Sequence, residues 1–372
     1  MSRIVCVAAA RPDLLKMAPI LRALRRSVPQ LEAVLVHCDD HVDEQFFTSL
    51  AMRLPDVHLQ VDAGSHALQT AQVMQRFEPV LEQAAPAAVL LAGDANPALA
   101  CALTAAKKQT PVFHVEAGLR SHDRAMPDEI NRLLSDQLST LLFTSEASGT
   151  SNLLREGISP ARIHFVGSVM VDTLQHELPH ASSPKDVLRQ AHLAGFIDHS
   201  GSYALLTLHR PSNIDDPRRL RALIETIVKL SDEVPVLFPL HPRTRAMLQQ
   251  HGLGALLDTP GVACLPPQPY RDMLGLMRHA RVVLTDSGGV QEETTALGVP
   301  CLTLRENTER PATVTEGSNA IAGRDPSVIL ALGRDILRYG GKAGRMPPLW
   351  DGHTAERIAD HIGLWLARQE GR

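Results

Sequence analysis

Short apolar runs alternate with longer amphipathic segments along most of this chain. The runs are rich in valine, leucine and isoleucine, whereas the intervening segments carry apolar residues at helical spacing. This alternation is typical of parallel βαβ units, whose strands are buried on both faces. It predicts strands at residues 3–9, 31–37, 87–91, 111–115, 141–144, 203–208, 236–239, 262–265, 282–284 and 301–303. It predicts helices near residues 12–27, 66–83, 96–108, 127–138, 147–156, 216–233, 270–279 and 290–297.

The pattern is interrupted in the middle of the chain. Residues 178–202 are rich in proline, serine, histidine and glycine, so we place a domain boundary near residues 169–180. We therefore predict an α/β protein with two Rossmann-like domains, at residues 1–173 and 174–353. A last helix within 354–372 could pack back on the first domain. Ligands of open parallel sheets bind beyond the carboxyl ends of the strands, where functional residues are expected.

Composition narrows the class of protein. The 372 residues suit two domains, and 44% hydrophobic with 21% charged residues is typical of a globular protein. A formal net charge of -4 with interspersed signs argues against nucleic-acid binding. The sequence predicts neither a membrane span nor a signal peptide. Five scattered cysteines without a CxxC pair favour reduced thiols, and so a cytoplasmic protein.

The 17 histidines raise the question of a metal site. Residues 176–180 spell HELPH, which fits the zinc-protease pattern HExxH. That pattern requires a continuous helix, which Pro179 would break. His37 and His41 have the same spacing, but they flank a strand end and would not share a face. We predict no metal.

Three acids in the first half are candidates for proton transfer. Asp94 and Glu116 follow the predicted strands at 87–91 and 111–115, and Asp128 follows Pro127 at a predicted helix start. Each acid alone could simply cap or support a helix. Glu116 is harder to explain in that way, because it stands at the end of an apolar strand next to Ala-Gly. Together the three could converge for general acid–base catalysis.

The second half carries candidate anion-binding residues. Two His-Arg-type segments, at 209–210 and 241–243, follow strands and suggest an anionic ligand. A strand opens through Ser287, Gly288 and Gly289 directly into a helix, where backbone N–H groups and the helix dipole favour a diphosphate. Glu293, one turn later, could accept hydrogen bonds from ribose. A tight strand–helix turn is the alternative, but it does not explain the charged segment at 305–311.

In combination, these motifs resemble the non-hydrolysing UDP-N-acetylglucosamine 2-epimerases, which have the two-domain GT-B architecture with the active site in the cleft between the domains. The resemblance covers residues 11 to about 323. It rests on RPxxxKMAP (11–19), GDxN (93–96), HVEAGLRS (114–121), MPxEINR (126–132), TLHRPSN (207–213), PLHPRTR (239–245), LTDSGGVQEE (284–293) and LRENTERP (304–311).

The resemblance implies a role for each candidate. Proton transfer would fall to Asp94, Glu116 and Asp128. Contacts to phosphate or sugar would come from Arg11, Lys16, His209 and Arg310, with His209 counted among the catalytic residues. The UDP diphosphate and ribose would be held by Ser287, Gly288, Gly289 and Glu293, and the uracil would be flanked by Gln268 and Met273.

The implied reaction is the reversible elimination of UDP, with loss of the C2 proton, to give 2-acetamidoglucal. UDP then re-adds while C2 is reprotonated on the other face. A UDP-sugar is the expected partner, no cofactor is needed, and a homodimer is expected. Some family members have a second, regulatory nucleotide-sugar site; the matching stretches here are 39–41 and 68–70, without its usual Gln and Arg.

Other readings remain open at this point. The family's Gly-Thr before Arg-Pro is Ala9-Ala10 here, and its usual Glu after Met-Pro is Asp128. An inactive paralogue that binds sugar nucleotides would fit those changes. A hydrolysing epimerase, an epimerase for a related UDP-sugar and a GT-B glycosyltransferase share the fold.

Overall fold

The computed structural model describes residues 2–39, 43–61, 64–197 and 201–370. The chain divides into two compact units: the first comprises Met1–Thr173 with Pro348–Arg372, and the second is Leu174–Pro347. Asp40 and His41 lie outside the described residues. They belong to the stretch 39–41 that matches part of the regulatory site, and His41 also belongs to the His37–His41 pair.

The first unit is a parallel sheet covered by helices. Its strands are β1 (Ser2–Ala8), β2 (Leu31–His37), β3 (Val57–His58), β4 (Ala88–Ala92), β5 (Val112–Val115), β6 (Leu141–Thr144) and β7 (Ile163–Phe165). Its helices are α1 (Arg11–Ser27), α2 (Glu44–Ser49), α3 (His66–Ala84), α4 (Asn96–Lys107), α5 (Pro127–Leu138), α6 (Ala147–Arg155), α7 (Val169–Glu177), which crosses the unit boundary, and α16 (Thr354–Glu370).

All described strand pairs of this sheet are parallel, in the order β3-β2-β1-β4-β5-β6-β7. The order reverses between β1 and β4, which is the doubly wound topology. The core on one face joins alternate residues of β1 and β4 to α3 and α4, around Val5, Val89 and Phe77. The chain returns from the second unit through α16, which packs against α1.

The second unit repeats the plan. Its strands are β8 (Ala204–Thr207), β9 (Val236–Pro239), β10 (Val262–Leu265), β11 (Val282–Thr285), β12 (Cys301–Thr303) and β13 (Asn319–Ile321). Its helices are α8 (Pro184–Gln190), α9 (Pro211–Ile214), α10 (Pro217–Ser231), α11 (Pro242–Gln250), α12 (Tyr270–His279), α13 (Gly288–Leu297), α14 (Pro311–Thr315) and α15 (Pro326–Tyr339).

This second sheet is also parallel, in the order β10-β9-β8-β11-β12-β13, and reverses between β8 and β11. Its two faces bury two separate cores. Ala204 and Leu206 belong to one, and Tyr203 and Leu205 to the other. Residues 203–206, which form most of β8 and the position before it, are therefore a continuous apolar run, as the sequence pattern predicts. The predicted α/β class with two Rossmann-like units is confirmed.

The HELPH segment does not lie on one helix. Helix α7 ends at Glu177, and Leu178–His180 form a 3₁₀ turn around Pro179. His176 Nδ1 instead contacts Glu177 Oε1 at 2.8 Å. Within the ranges given above, His, Cys, Asp and Glu side chains nowhere gather as a metal site would require. Of the helices in those ranges, none combines the length and apolar character needed to span a bilayer.

Candidate active site

The predicted functional residues follow strands at the two points where strand order reverses. In the first unit β1 leads into Ala9 and α1, while its neighbour β4 leads into Gly93 and Asp94. In the second unit β8 leads into His209, while its neighbour β11 leads into Asp286. Such switch points form crevices at the carboxyl edge of a sheet. The topology therefore places both sets of residues where a doubly wound sheet binds ligands.

Gly93 lets two loops of the first unit approach closely. Its φ is +94°, and a Cβ added there would lie 2.2 Å from Asp13 Oδ1, so a larger residue would displace that carboxylate. The next residue, Asp94, forms an ion pair with Arg132. The Asp94 side chain keeps 39% of its surface exposed, so its carboxylate is accessible to a ligand.

Glu116 has an unusual backbone conformation. Its φ is +65°, a left-handed value that costs energy for any residue with a Cβ. Strained positions of this kind cluster at functional sites. The side chain is buried, and its Oε2 lies 2.8 Å from Lys16 Nζ. The strand end thus presents a buried carboxyl held by one ammonium.

Asp13 is a second carboxylate on the same ammonium, and it was not among the residues predicted from the sequence. Asp13 Oδ1 lies 3.6 Å from Lys16 Nζ, while Oδ2 accepts the backbone N–H groups of Ala9 and Ala10 at 3.1 and 3.3 Å. Burial raises the pKa of Asp13 to about 6, although Lys16 opposes this rise. The available signal was an Asp at the third helical position after an Ala10 that cannot cap α1.

A buried hydrogen-bond network links the loops that follow β4 and β5. His114 on β5 lies 2.7 Å from Asp136 Oδ1 through Nδ1 and 3.1 Å from the Gly93 carbonyl through Nε2. Asp136 Oδ2 accepts the Gly118 N–H at 3.0 Å and pairs with Arg120. Burial lowers the pKa of His114, but the hydrogen bond and charge of Asp136 and the Gly93 carbonyl together outweigh this and raise it overall. The network joins the loops that carry Asp94 and Glu116.

Asp128 and Glu129 begin α5 but have different surroundings. Glu129 is buried and accepts hydrogen bonds from the backbone of Ser121 and His122, at 2.9 Å each, and from Arg132. Burial would raise the pKa of Glu129, but these partners lower it below its ordinary value. Asp128 is only half-buried. Glu129 therefore supports the helix start.

Arg11 is placed apart from this acidic group. It is 61% exposed, its Nη2 lies 2.5 Å from Asp43 Oδ2, and its guanidinium stacks over the Phe46 ring at 5.4 Å. The resemblance groups Arg11 with Lys16 as contacts to phosphate or sugar, and that assignment stays a prediction. Lys16 itself lies beside Glu116 and Asp13.

In the second unit, Asp286 organises the predicted His209. The Asp286 side chain is fully buried and accepts the N–H groups of His209 and Arg210 at 3.1 and 3.0 Å. Its Oδ1 lies 3.2 Å from His209 Nδ1. Burial would raise the pKa of Asp286, but His209, the Arg210 N–H and Asn213 together outweigh this and lower it. The Asp286 carboxylate therefore orients the His209 ring. Asp286 was not predicted from the sequence, although its position directly before Ser287-Gly288-Gly289 could have indicated it.

The first turn of α13 has a cationic surrounding. A Cβ at Gly288 would lie 2.4 Å from Glu309 Oε1 and 3.4 Å from Arg310 Nε, so a larger residue would displace the Glu309 carboxylate. Arg310 pairs with Glu292 at 3.0 Å, and Arg305 pairs with Glu309 at 2.7 Å. Arg210 Nη2 lies 3.8 Å from Glu309 Oε1. Three guanidinium groups and two carboxylates thus lie together beside a helix N-terminus.

Glu293 is a buried carboxyl on the same helix. Burial raises its pKa to about 7, and the Tyr270 hydroxyl beside it opposes the rise. Of the other predicted nucleotide contacts, Met273 packs half-buried against the core around Leu274, and Gln268 Nε2 donates to the Pro266 carbonyl at 2.7 Å. These residues all lie on or just before α12 and on α13, two helices in contact.

Comparison with known proteins agrees with this geometry. A family model described as UDP-N-acetylglucosamine 2-epimerase matches residues 22–363. A UDP-N-acetylglucosamine 2-epimerase of Methanococcus maripaludis is 38% identical over 365 residues, 97% of this chain and 98% of that protein. A UDP-2,3-diacetamido-2,3-dideoxy-D-glucuronate 2-epimerase of Pseudomonas aeruginosa is 36% identical over 372 residues, 97% of this chain and 99% of that protein.

Solved structures show the same similarity. The UDP-GlcNAc 2-epimerase of Methanocaldococcus jannaschii, in complex with UDP-GlcNAc and UDP, has a TM-score of 0.89 and 36% identity, covering 97% of this chain and 99% of that one. The Neisseria meningitidis enzyme bound to UDP-GlcNAc has a TM-score of 0.88 and 27% identity, with the same coverage. The chain belongs to the UDP-N-acetylglucosamine 2-epimerase family.

Proposed function

We propose that the protein catalyses the reversible C2 epimerisation of UDP-N-acetylglucosamine to UDP-N-acetylmannosamine. UDP leaves C1 as the C2 proton is removed, and UDP re-adds to C1 of the enzyme-bound 2-acetamidoglucal as C2 is reprotonated on the other face. The observation that carries this proposal is Glu116, a buried carboxyl held by Lys16 on a strained strand end next to the Asp94 loop.

The acids of the first unit would move the protons. Two faces of C2 require at least two acid–base groups. Glu116 is held by Lys16, Asp94 is partly exposed beside Arg132, and Asp128 is half-buried at the start of α5. We assign proton transfer to these three acids.

The second unit would hold UDP and stabilise it as a leaving group. The diphosphate would accept hydrogen bonds from Ser287, Gly288 and Gly289 at the start of α13, where the helix dipole favours an anion. The three arginines, with Arg310 nearest to Gly288, would offset the charge that develops as C1–O breaks. His209, held by Asp286, would add a donor. Gln268 and Met273 would flank the uracil.

The Glu293 carboxyl makes nucleotide binding depend on pH. With a pKa of about 7 in the unliganded protein, it is mostly protonated at pH 6 and mostly ionised at pH 8. Ribose hydroxyls donate more strongly to the ionised form, so binding selects that form. The UDP dissociation constant should therefore fall about tenfold between pH 6 and pH 8, in proportion to the ionised fraction. Calorimetric titration at several pH values measures it.

The matched variant is Glu293→Gln. UDP itself titrates near pH 6 in both proteins, so the difference between them isolates the carboxyl. In the variant this additional tenfold change should vanish. An identical pH dependence in both proteins would remove Glu293 from the ribose site.

The reaction class is tested by incubation with UDP-N-acetylglucosamine and chromatography of the products. We expect an equilibrium mixture in which both sugars remain attached to UDP. Free N-acetylmannosamine with stoichiometric UDP would favour a hydrolysing epimerase. If this substrate is left unchanged, the 2,3-diacetamido uronic acid substrate of the Pseudomonas aeruginosa relative is tried next. Failure with both would favour the inactive paralogue.

A cytoplasmic location and a homodimer stay predictions. All five cysteines are free and four are buried, which supports a reducing compartment. Analytical ultracentrifugation should give a particle of about twice the 40.5 kDa chain mass.

A further inference from the structure

We propose that Asp13 is a positioning residue that shares the Lys16 ammonium with Glu116 and thereby sets the basicity of Glu116. The proposal rests on the proposed epimerase function, in which Glu116 moves a proton. It assigns no contact with the substrate to Asp13.

The geometry gives Asp13 two separate tasks on its two oxygens. Oδ2 accepts the N–H groups of Ala9 and Ala10 and so caps α1, which begins after an alanine that has no side-chain acceptor. Oδ1 lies 3.6 Å from Lys16 Nζ and against Gly93. Capping the helix requires only Oδ2. Oδ1 lies near the Lys16 ammonium, which also contacts Glu116 at 2.8 Å.

Lys16 differs from the other lysines of this chain in its burial. The sequence contains six lysines, and only Lys16 is buried, whereas the others are exposed. Burying an ammonium costs free energy unless carboxylates or other acceptors compensate it. Two carboxylates on one buried cation therefore compete for its charge. When Asp13 is ionised, Lys16 stabilises the Glu116 anion less, and Glu116 is the stronger base.

The charges that face Asp13 come from three elements. Lys16 lies on its own helix, Asp94 lies on the loop after β4 and repels it, and Glu116 lies across Lys16 at the end of β5. Burial raises the pKa of Asp13 to about 6. Above that pH Asp13 is ionised and shares Lys16, and below it Asp13 is neutral and leaves Lys16 to Glu116. The group therefore changes charge at the edge of the physiological range.

Asp13→Asn separates the two tasks. Its amide oxygen can still cap α1, but its NH₂ group faces Lys16 without charge. We expect a kcat about tenfold lower at pH 8, because a weaker base slows proton abstraction. The acid limb of the kcat profile should move to lower pH, while KM stays within about twofold. Asp13→Glu keeps the charge and should keep the limb where the wild type has it.

A readout independent of activity is the NMR titration of lysine side chains labelled with ¹³C. The Lys16 resonance is the one that disappears in Lys16→Arg. In the wild type it should shift with a midpoint near pH 6; Asp13→Asn should lack this step, and Glu116→Gln should keep it.

The outcomes separate this proposal from the proposed function. A wild-type protein that turns over no UDP-sugar would contradict the epimerase function, and the lysine titration would still decide whether Asp13 controls Lys16. An active wild type whose kcat profile is matched by Asp13→Asn would overturn the positioning role. So would a Lys16 step near pH 6 that survives in Asp13→Asn. A lower thermal midpoint with an unchanged profile would show that Asp13 is only a helix cap.

Discussion

Glu116→Gln should abolish measurable turnover while leaving the affinity for UDP within about twofold of the wild type. The substitution keeps the shape of a buried side chain but removes the carboxylate that would exchange the C2 proton. Loss of such a group costs about 10²- to 10⁴-fold in rate. The UDP contacts we assign all belong to the second unit, whereas Glu116 and its partner Lys16 belong to the first.

Two measurements check this prediction: the initial rate of epimerisation and a calorimetric titration with UDP. Lys16 retains Asp13 as a partner in the variant, so the fold should survive, and circular dichroism tests that. A parallel collapse of UDP binding in a folded variant would make Glu116 structural or nucleotide-facing. Turnover near the wild-type level would remove it from proton transfer.

Asp128→Asn should lower the rate at least about a hundredfold, whereas Asp128→Glu should be tolerated. Asp128 is half-buried at the start of α5, and its neighbour Glu129 is the residue that accepts the backbone N–H groups of Ser121 and His122 there. The shorter acid must be compensated by the backbone position, since a displacement of about 1 Å alone can cost a hundredfold. Glutamate restores the side chain that the family normally places there.

The matched control is Glu129→Gln. It removes a buried carboxylate that accepts two backbone N–H groups and pairs with Arg132, so it should lower the midpoint of thermal unfolding. Asp128→Asn should change stability by at most about 1 kcal/mol. An Asp128→Asn enzyme with near-normal turnover would exclude Asp128 from the mechanism.

Much of the fold could be predicted because buried parallel strands leave a plain sequence signal. The predicted strand bounds at 31–37, 141–144, 236–239, 262–265 and 301–303 are those of the structure. The strands that were missed, β3, β7 and β13, have two or three residues and lie at sheet edges, where a short apolar run is not distinctive. Helix α8 was hidden within the Pro- and Ser-rich stretch, because Ser183 and Pro184 mark a helix start as well as a turn.

Candidate site residues could be proposed from the sequence where they directly follow a strand. Residues whose role depends on contacts with side chains distant in the sequence could not. Asp94, Glu116 and His209 could be proposed from the sequence because each follows a strand at the carboxyl edge of its own sheet. Asp13 and Asp286 were missed, since their roles depend on the side chains they face. The left-handed φ of Glu116 could not be predicted, because a left-handed conformation is normally expected at glycine and not at glutamate.

The most direct test of the central claim is an incubation with UDP-N-acetylglucosamine in deuterated water, followed by NMR of the sugar. Removal and return of the C2 proton through carboxyl groups that exchange with solvent predicts deuterium at C2 in products that remain attached to UDP. An epimerised product that retains hydrogen at C2 would contradict proton exchange through these acids. Free N-acetylmannosamine as the main product would contradict the re-addition of UDP.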